Sequence, residues 1–177
     1  MTLAWGDWEP FERGTGVPLA DVDRATARRH FGDLMDAREH RKRELVRLLK
    51  RNGFNVDPDD RGLQALNDWY RANVAASDDA PDRLQDRWYA VGLDVGLFIG
   101  DAIIHRAPSL EWRLFTDGRT DASYHRPVIM GFTRVANPRY YLDPELVVGT
   151  HGHRLISGYT EPEDLFVQVV RSAAGKA

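Results

Sequence analysis

The run Tyr89–Ile104, YAVGLDVGLFIGDAII, decides the fold of this chain. It is the most apolar stretch, and Gly92, Gly96 and Gly100 recur in it at i, i+4 and i+8, on one stripe of an α-helix. A glycine inside a helix costs up to about 1 kcal/mol relative to alanine, so three in line predict tight packing against another backbone. Asp94 and Asp101 interrupt the run, whereas a bilayer-spanning helix takes about 20 residues almost free of charge. The expectation is a buried central helix over Asp82 to Arg106, closed before Pro108, with no membrane role.

Upstream, Asp57-Pro-Asp-Asp60 is a turn and N-cap cluster before a helix over Arg61 to Val74, followed by a polar connector, Ala75 to Pro81. Pro18, Asp21 and Asp23 open a long amphipathic helix carried by Val22, Phe31, Leu34, Met35, Leu45, Leu48 and Leu49. Continuous from Leu19 to Asn52 it would span about 50 Å at 1.5 Å per residue, so a bend near Gly32 is expected. Residues 1–17 combine Trp5, Trp8 and Phe11 with Gly14 and Gly16 and have no period, which reads as an irregular arm.

Downstream the period changes to two. Leu110, Trp112 and Leu114 alternate with Glu111, Arg113 and Phe115, Thr116 to Arg119 turns the chain, and Pro127 to Val135 is β-rich, giving two or three antiparallel strands. Asp143-Pro144 starts a helix over Glu145 to Ile156, and Glu161 to Asp164 starts a last one through Val170, with a frayed tail. The whole is an α+β single domain over 1–177, with N-terminal and central helices on a small antiparallel sheet and helices at the C-terminus.

Composition narrows function by exclusion. The chain has 177 residues, 42% hydrophobic and 29% charged, close to the globular average. The absence of cysteine excludes disulfides, thiolate zinc sites, iron–sulfur clusters and cysteine nucleophiles. A net charge of −3 argues against nucleic acid as a partner, although Arg38 to Arg47 is a local basic segment. The plainer role of that segment is a solvated helix face with acid–base pairs one turn apart. The first ten residues carry no basic start followed by an apolar run, so the cytoplasm is the expected compartment. No nucleophile elbow, phosphate loop, dinucleotide fingerprint or His-Glu-x-x-His occurs, and no cofactor is expected.

Histidines, carboxylates and loop aromatics carry the chemistry that remains. His105 shares a helical face with Asp94 and Asp101, which suits either a general base or a polar contact at a helix end. His151 and His153 sit in His-Gly-His; on a strand they would share a metal, but on a helix they stand about 200° apart. Asp101, Glu111 and Arg113 echo a nuclease arrangement in which arginine replaces the lysine, a poor exchange for proton transfer. Trp5, Trp8, Tyr124, Tyr140, Tyr141 and Tyr159 fall in loops among His125, Arg126 and Arg139, the residue types that protein interfaces use for hot spots.

Two functions stand side by side. The first is a protein-interaction module, immunity-like or regulatory, binding an unidentified protein through Trp8, Arg126 and Tyr141. The second is a small-ligand hydrolase or metal-dependent enzyme using Asp101, His105, His151 and His153.

The segments GLDVGLFIGDAIIHRAPSLEW (Gly92 to Trp112), RPVIMGF (Arg126 to Phe132), VANP (Val135 to Pro138) and THGHR (Thr150 to Arg154) resemble a family of small uncharacterised actinobacterial proteins. The resemblance runs from about Phe31 to Arg154. It implies a cytosolic bacterial origin, consistent with lysine at only Lys42, Lys50 and Lys176 among 24 basic residues, and it implies no reaction or catalytic residue.

Overall fold

A computed structural model describes residues 3–12, 14 and 16–177. Met1, Thr2, Arg13 and Thr15 of the expected arm lie outside the described residues. Among the described residues, five α-helices and a two-stranded antiparallel sheet form an α+β fold: α1 (Arg24–Arg51), α2 (Asp60–Asn73), α3 (Asp86–Arg106), β1 (Glu111–Leu114), β2 (Pro127–Met130), α4 (Pro144–Ile156) and α5 (Leu165–Gly175).

Helix α3 is the centre, packed by α1, α4 and α5. Its length and apolar composition would suffice to cross a membrane, with a mean hydropathy of 1.2, but 72% of that window is buried by the rest of the chain. It is a core helix. It begins four residues later than its sequence suggests, at Asp86. The reason is a short antiparallel contact that takes the preceding backbone: Ser77 N donates to Arg83 O at 2.8 Å and Gln85 N to Ala75 O at 3.1 Å.

Two glycines of the stripe serve close packing, only one of them against backbone, and a Cβ on Gly92 would make an ordinary contact with Val148 at 3.8 Å. A Cβ on Gly96 would stand 2.8 Å from Glu145 N and 2.9 Å from Glu145 Cα, so the first turn of α4 rests on bare backbone. On Gly100 it would stand 2.1 Å from the Trp112 indole, which lies over the helix there.

Helix α1 differs from expectation twice. It starts at Arg24, because the Asp23 carboxylate caps it by accepting from Thr26 N at 2.9 Å, and Leu19–Asp21 forms only a separate 3-10 turn. It then runs unbroken through Gly32 for 28 residues, about 42 Å at 1.5 Å per residue. One glycine does not interrupt a helix whose other positions are mostly good formers.

Strand β1 pairs with β2 in the register Glu111↔Met130 to Leu114↔Pro127. β2 ends at Met130, short of the expected Val135, because Gly131 turns away at φ +104°. The amides of Thr133 and Arg134 then donate to Lys176 O, which also holds the C-terminus in place. Helix α5 accordingly reaches Gly175, past the expected Val170, and buries Phe166, Val167, Val170 and Ala173. A third strand is reduced to one bridge, Ile129↔Leu142.

The core is aromatic. Trp69, Trp88, Tyr70 and Phe166 are fully buried, with Trp69 and Trp88 centroids 5.5 Å apart and Tyr70 edge-on to Trp88 at 5.6 Å. Trp5 adds a contact with Trp88 at 5.7 Å, so the N-terminal segment is part of this cluster.

Candidate functional site

Asp94, on the face of α3 that meets α1, is completely buried. Arg41 grips it with two bonds, Nε to Oδ1 at 2.8 Å and Nη2 to Oδ2 at 2.6 Å, and Trp8 Nε1 donates to Oδ2 at 3.0 Å. The third Arg41 donor, Nη1, reaches Glu9 O at 2.8 Å. Burial pushes the Asp94 carboxyl up, and Arg41 and Trp8 oppose that rise. Asp94 is thus a structural counter-ion, and Arg41 is withdrawn from the basic segment of α1. Trp8, expected on an interaction surface, is itself buried at 5% exposure, because its indole N–H finds its acceptor inside.

Two turns along, Asp101 and His105 line a groove of ≈ 650 Å³ between α1 and α3. The Asp101 carboxylate is already engaged. Lys42 Nζ donates to Oδ2, Arg38 Nε lies 3.2 Å from the same oxygen, and Trp112 Nε1 donates to Oδ1 at 2.8 Å. His105 is exposed at the rim. The nuclease-like set does not assemble, for Trp112 meets Asp101 while Glu111 and Arg113 occupy the alternate face of β1 and bond each other at 2.7 Å.

A second cleft, ≈ 560 Å³, opens between α3 and α4. Its walls include Tyr89 and Gly92 from α3 and Gly149, Thr150 and His153 from α4. His153 Nε2 lies 3.2 Å from Tyr89 Oη. Arg126 closes one end, bonding Asp143 Oδ2 at 2.6 Å and facing Glu145 Oε2 at 3.3 Å. Burial opposes its charge, but Glu145 and Asp143 hold the Arg126 pKa above the usual arginine value.

His151, two residues from His153, points into the core instead, 1% exposed and stacked on Tyr70 at 5.9 Å. Its Nδ1 is 3.1 Å from Glu161 Oε2, and Glu161 also takes Arg154. The acidic partner fixes the proton on Nδ1, leaving Nε2 buried without a hydrogen-bond partner. Protonating Nε2 would bury an unsatisfied N–H, and burial accordingly lowers the His151 pKa from 6.5 despite Glu161. Below that value the unfolded chain binds more protons than the folded one, so stability is expected to fall as pH drops through about 6.5. Denaturant midpoints measured from about pH 7.5 to 5.5 should decline, and His151→Phe should flatten the slope. Equal slopes in both proteins would refute this assignment.

The four residues proposed for an enzyme are therefore divided. Asp101 and His105 share the α1/α3 groove, His153 lines the cleft on the other side of α3, and His151 is internal. Among the described residues, no three His, Asp or Glu side chains converge to hold a metal. The loop aromatics are mostly pinned. Tyr141 donates to Asp121 Oδ1 at 2.6 Å and packs on Phe115, Tyr124 stacks on His125, and Tyr140 accepts from Lys176 Nζ. Tyr159, 60% exposed beneath the Arg154 guanidinium, remains at the surface.

The cleft and the groove floor escaped sequence reading because each is built across two helices distant in the chain. The i, i+4 pair of Gly149 and His153 on α4 was the available signal. No protein-family model, curated protein or solved structure matches this chain, so the actinobacterial resemblance gains no support from them.

Proposed function

We propose that the chain is a protein-interaction module, regulatory or immunity-like, that receives an acidic amphipathic helix of a partner in the α1/α3 groove. The observation that carries this is an apolar floor under a basic rim. Val46, Phe98, Ala102 and Ile104 form the floor; Arg38, Lys42, Arg43 and Arg47 stand around it against Glu39 and Asp101, with Glu44 bonding Arg47 at 2.6 Å from outside the groove. The local excess of positive charge opposes a net charge of −3, so the groove selects an acidic occupant where the molecule as a whole repels one. An amphipathic helix lays apolar residues at i, i+3, i+4 and i+7 into such a floor and offers its flanking carboxylates to the rim. Trp8 is excluded from this surface by its burial, and Arg126 and Tyr141 are engaged in Asp143 and Asp121.

A designed helix of about 20 residues with a leucine face and glutamate flanks tests the reading, beside a twin with lysine flanks. Fluorescence anisotropy should show binding of the acidic peptide, weakening as salt rises, and Arg43→Glu/Arg47→Glu should weaken it by at least about tenfold. Equal binding of the lysine twin, or indifference to the double charge reversal, would overturn the proposal.

A further inference from the structure

We infer that the outer edge of β1 pairs antiparallel with the same edge of a second copy of this chain, joining the two sheets into one of four strands about a two-fold axis at Trp112. The backbone directions leave that edge open. In an antiparallel ladder, successive residues turn their N–H and C=O groups to opposite sides of the strand. Phe115 N donates to Arg126 O at 3.0 Å and Phe115 O accepts from His125 N at 2.8 Å, so the odd-numbered residues of β1 face β2. Ile129, opposite Trp112, exchanges both of its bonds with Leu142 on the far side of β2. The N–H and C=O groups of Trp112 and Leu114 therefore point outward, and among the described residues none of them has a hydrogen-bond partner.

Charge selects the occupant and the register. Glu111 and Arg113 flank Trp112 on the outer face of the strand, and both side chains are 57% exposed. With Trp112 opposite Trp112 of the second copy, Glu111 of each copy stands opposite Arg113 of the other. The two Trp112 residues, both with backbone groups turned outward, exchange a pair of hydrogen bonds. Glu111 and Arg113 then fall in the closer, non-hydrogen-bonded pairs, with Cβ atoms about 4.5–5.5 Å apart. Two cross-strand ion pairs replace the exposed 2.7 Å bond that Arg113 makes to Glu111 within each strand. Centring the axis on Glu111 or Arg113 instead sets like charges face to face. The strand is thus complementary to itself in one register, as an isologous two-fold contact requires. Leu110 N is taken by Ala107 O, but Leu110 O is open to Leu114 N of the second copy, which gives four bonds across the axis. On the inner face Leu114, which packs in neither core cluster, is set opposite Leu110 of the second copy, where Phe31, Met35 and Trp112 line a hollow of ≈ 320 Å³.

Sedimentation equilibrium of the full chain from about 1 to 300 μM tests the inference. Monomer should give way to dimer over that range. Amide exchange at Trp112 and Leu114 should slow as the dimer forms, while Glu111 and Arg113, bonded to β2 in either state, change little. Arg113→Glu and Glu111→Arg should each weaken association by about tenfold, because both cross-strand pairs then carry like charges, and Glu111→Arg/Arg113→Glu should restore it. Leu114→Pro removes an N–H that the β1–β2 ladder does not use, so it should abolish the dimer in a chain whose circular dichroism stays native. A chain that remains monomeric throughout overturns the inference and leaves the edge to a strand of another protein. It is equally overturned by single reversals without effect, by a double swap that associates no better than the singles, or by a dimer in which the Trp112 and Leu114 amides stay unprotected. Arg43 and Arg47 lie outside this edge, so their reversal should leave the dimer intact and the inference fails separately from the groove.

Discussion

Asp94→Ala is expected to destabilise the protein by about 3–5 kcal/mol, a large part of the stability of about 5–15 kcal/mol that single domains possess. The cost arises from what remains. Arg41, itself only 5% exposed, would lose both bonds to the carboxylate and stay charged in a site closed by Trp8. The Trp8 indole N–H would lose its acceptor as well, and with it the N-terminal segment one of its polar anchors. Asp94→Asn should cost less, because the amide oxygen still accepts one bond. The double variant Arg41→Met/Asp94→Leu should recover much of the loss, since replacing both charges removes the buried unpaired ion. Urea unfolding of the parent, Arg41→Met, Asp94→Leu and the double variant forms a double-mutant cycle, with Asp94→Ala and Asp94→Asn measured beside it. A midpoint for Asp94→Ala close to that of the parent, or a double variant no better than the singles, would show that the ion pair does not hold the core.

This ion pair marks the boundary of what sequence patterning reveals. Periodicity and caps located the elements: Asp143-Pro144 caps and starts α4 as its residue types require, with Leu146 N donating to Asp143 Oδ1 at 2.9 Å. The glycine stripe announced close packing, which Gly96 and Gly100 provide and Gly92 does not. By contrast, Trp8 and Asp94 are 86 residues apart, and nothing local to either names the other. The aromatic-rich arm has no period, so it read as a loop and its tryptophans as candidate contacts, whereas their area made them core. The candidate sites were less legible for the same reason. His105, Asp101, His151 and His153 are individually conspicuous, but a site depends on where helices place them, and α3 separates the two cavities as a wall. At about 100° per residue, Gly92 and Asp101 on α3 point about 180° apart, which puts the α3/α4 cleft and the basic groove on opposite sides. Termini shifted where tertiary contacts intervened, as when the Ala75–Ser77 backbone claimed residues expected in the first turn of α3.

Gly96→Val should destabilise the protein by about 3 kcal/mol and should do so while raising the intrinsic helix preference of α3, which isolates packing as the cause. The new Cβ would collide with Glu145 N and Cα and approach Pro144 C to 3.2 Å, all backbone atoms that cannot rotate away. The first turn of α4 must lift, and that turn carries Asp143 and Glu145, the two carboxylates that hold Arg126. Gly92→Ala is the control within the same stripe. Its Cβ would meet Val148 Cγ1 at 3.8 Å, an ordinary contact, so the change is expected to be neutral or to stabilise by up to about 1 kcal/mol. Thermal unfolding of both variants separates the explanations, because a helix-propensity effect would move them in the same direction and a backbone contact moves them apart. Similar unfolding temperatures for the two would mean that α4 does not rest on Gly96, and that the stripe has some other origin than the packing of these two helices.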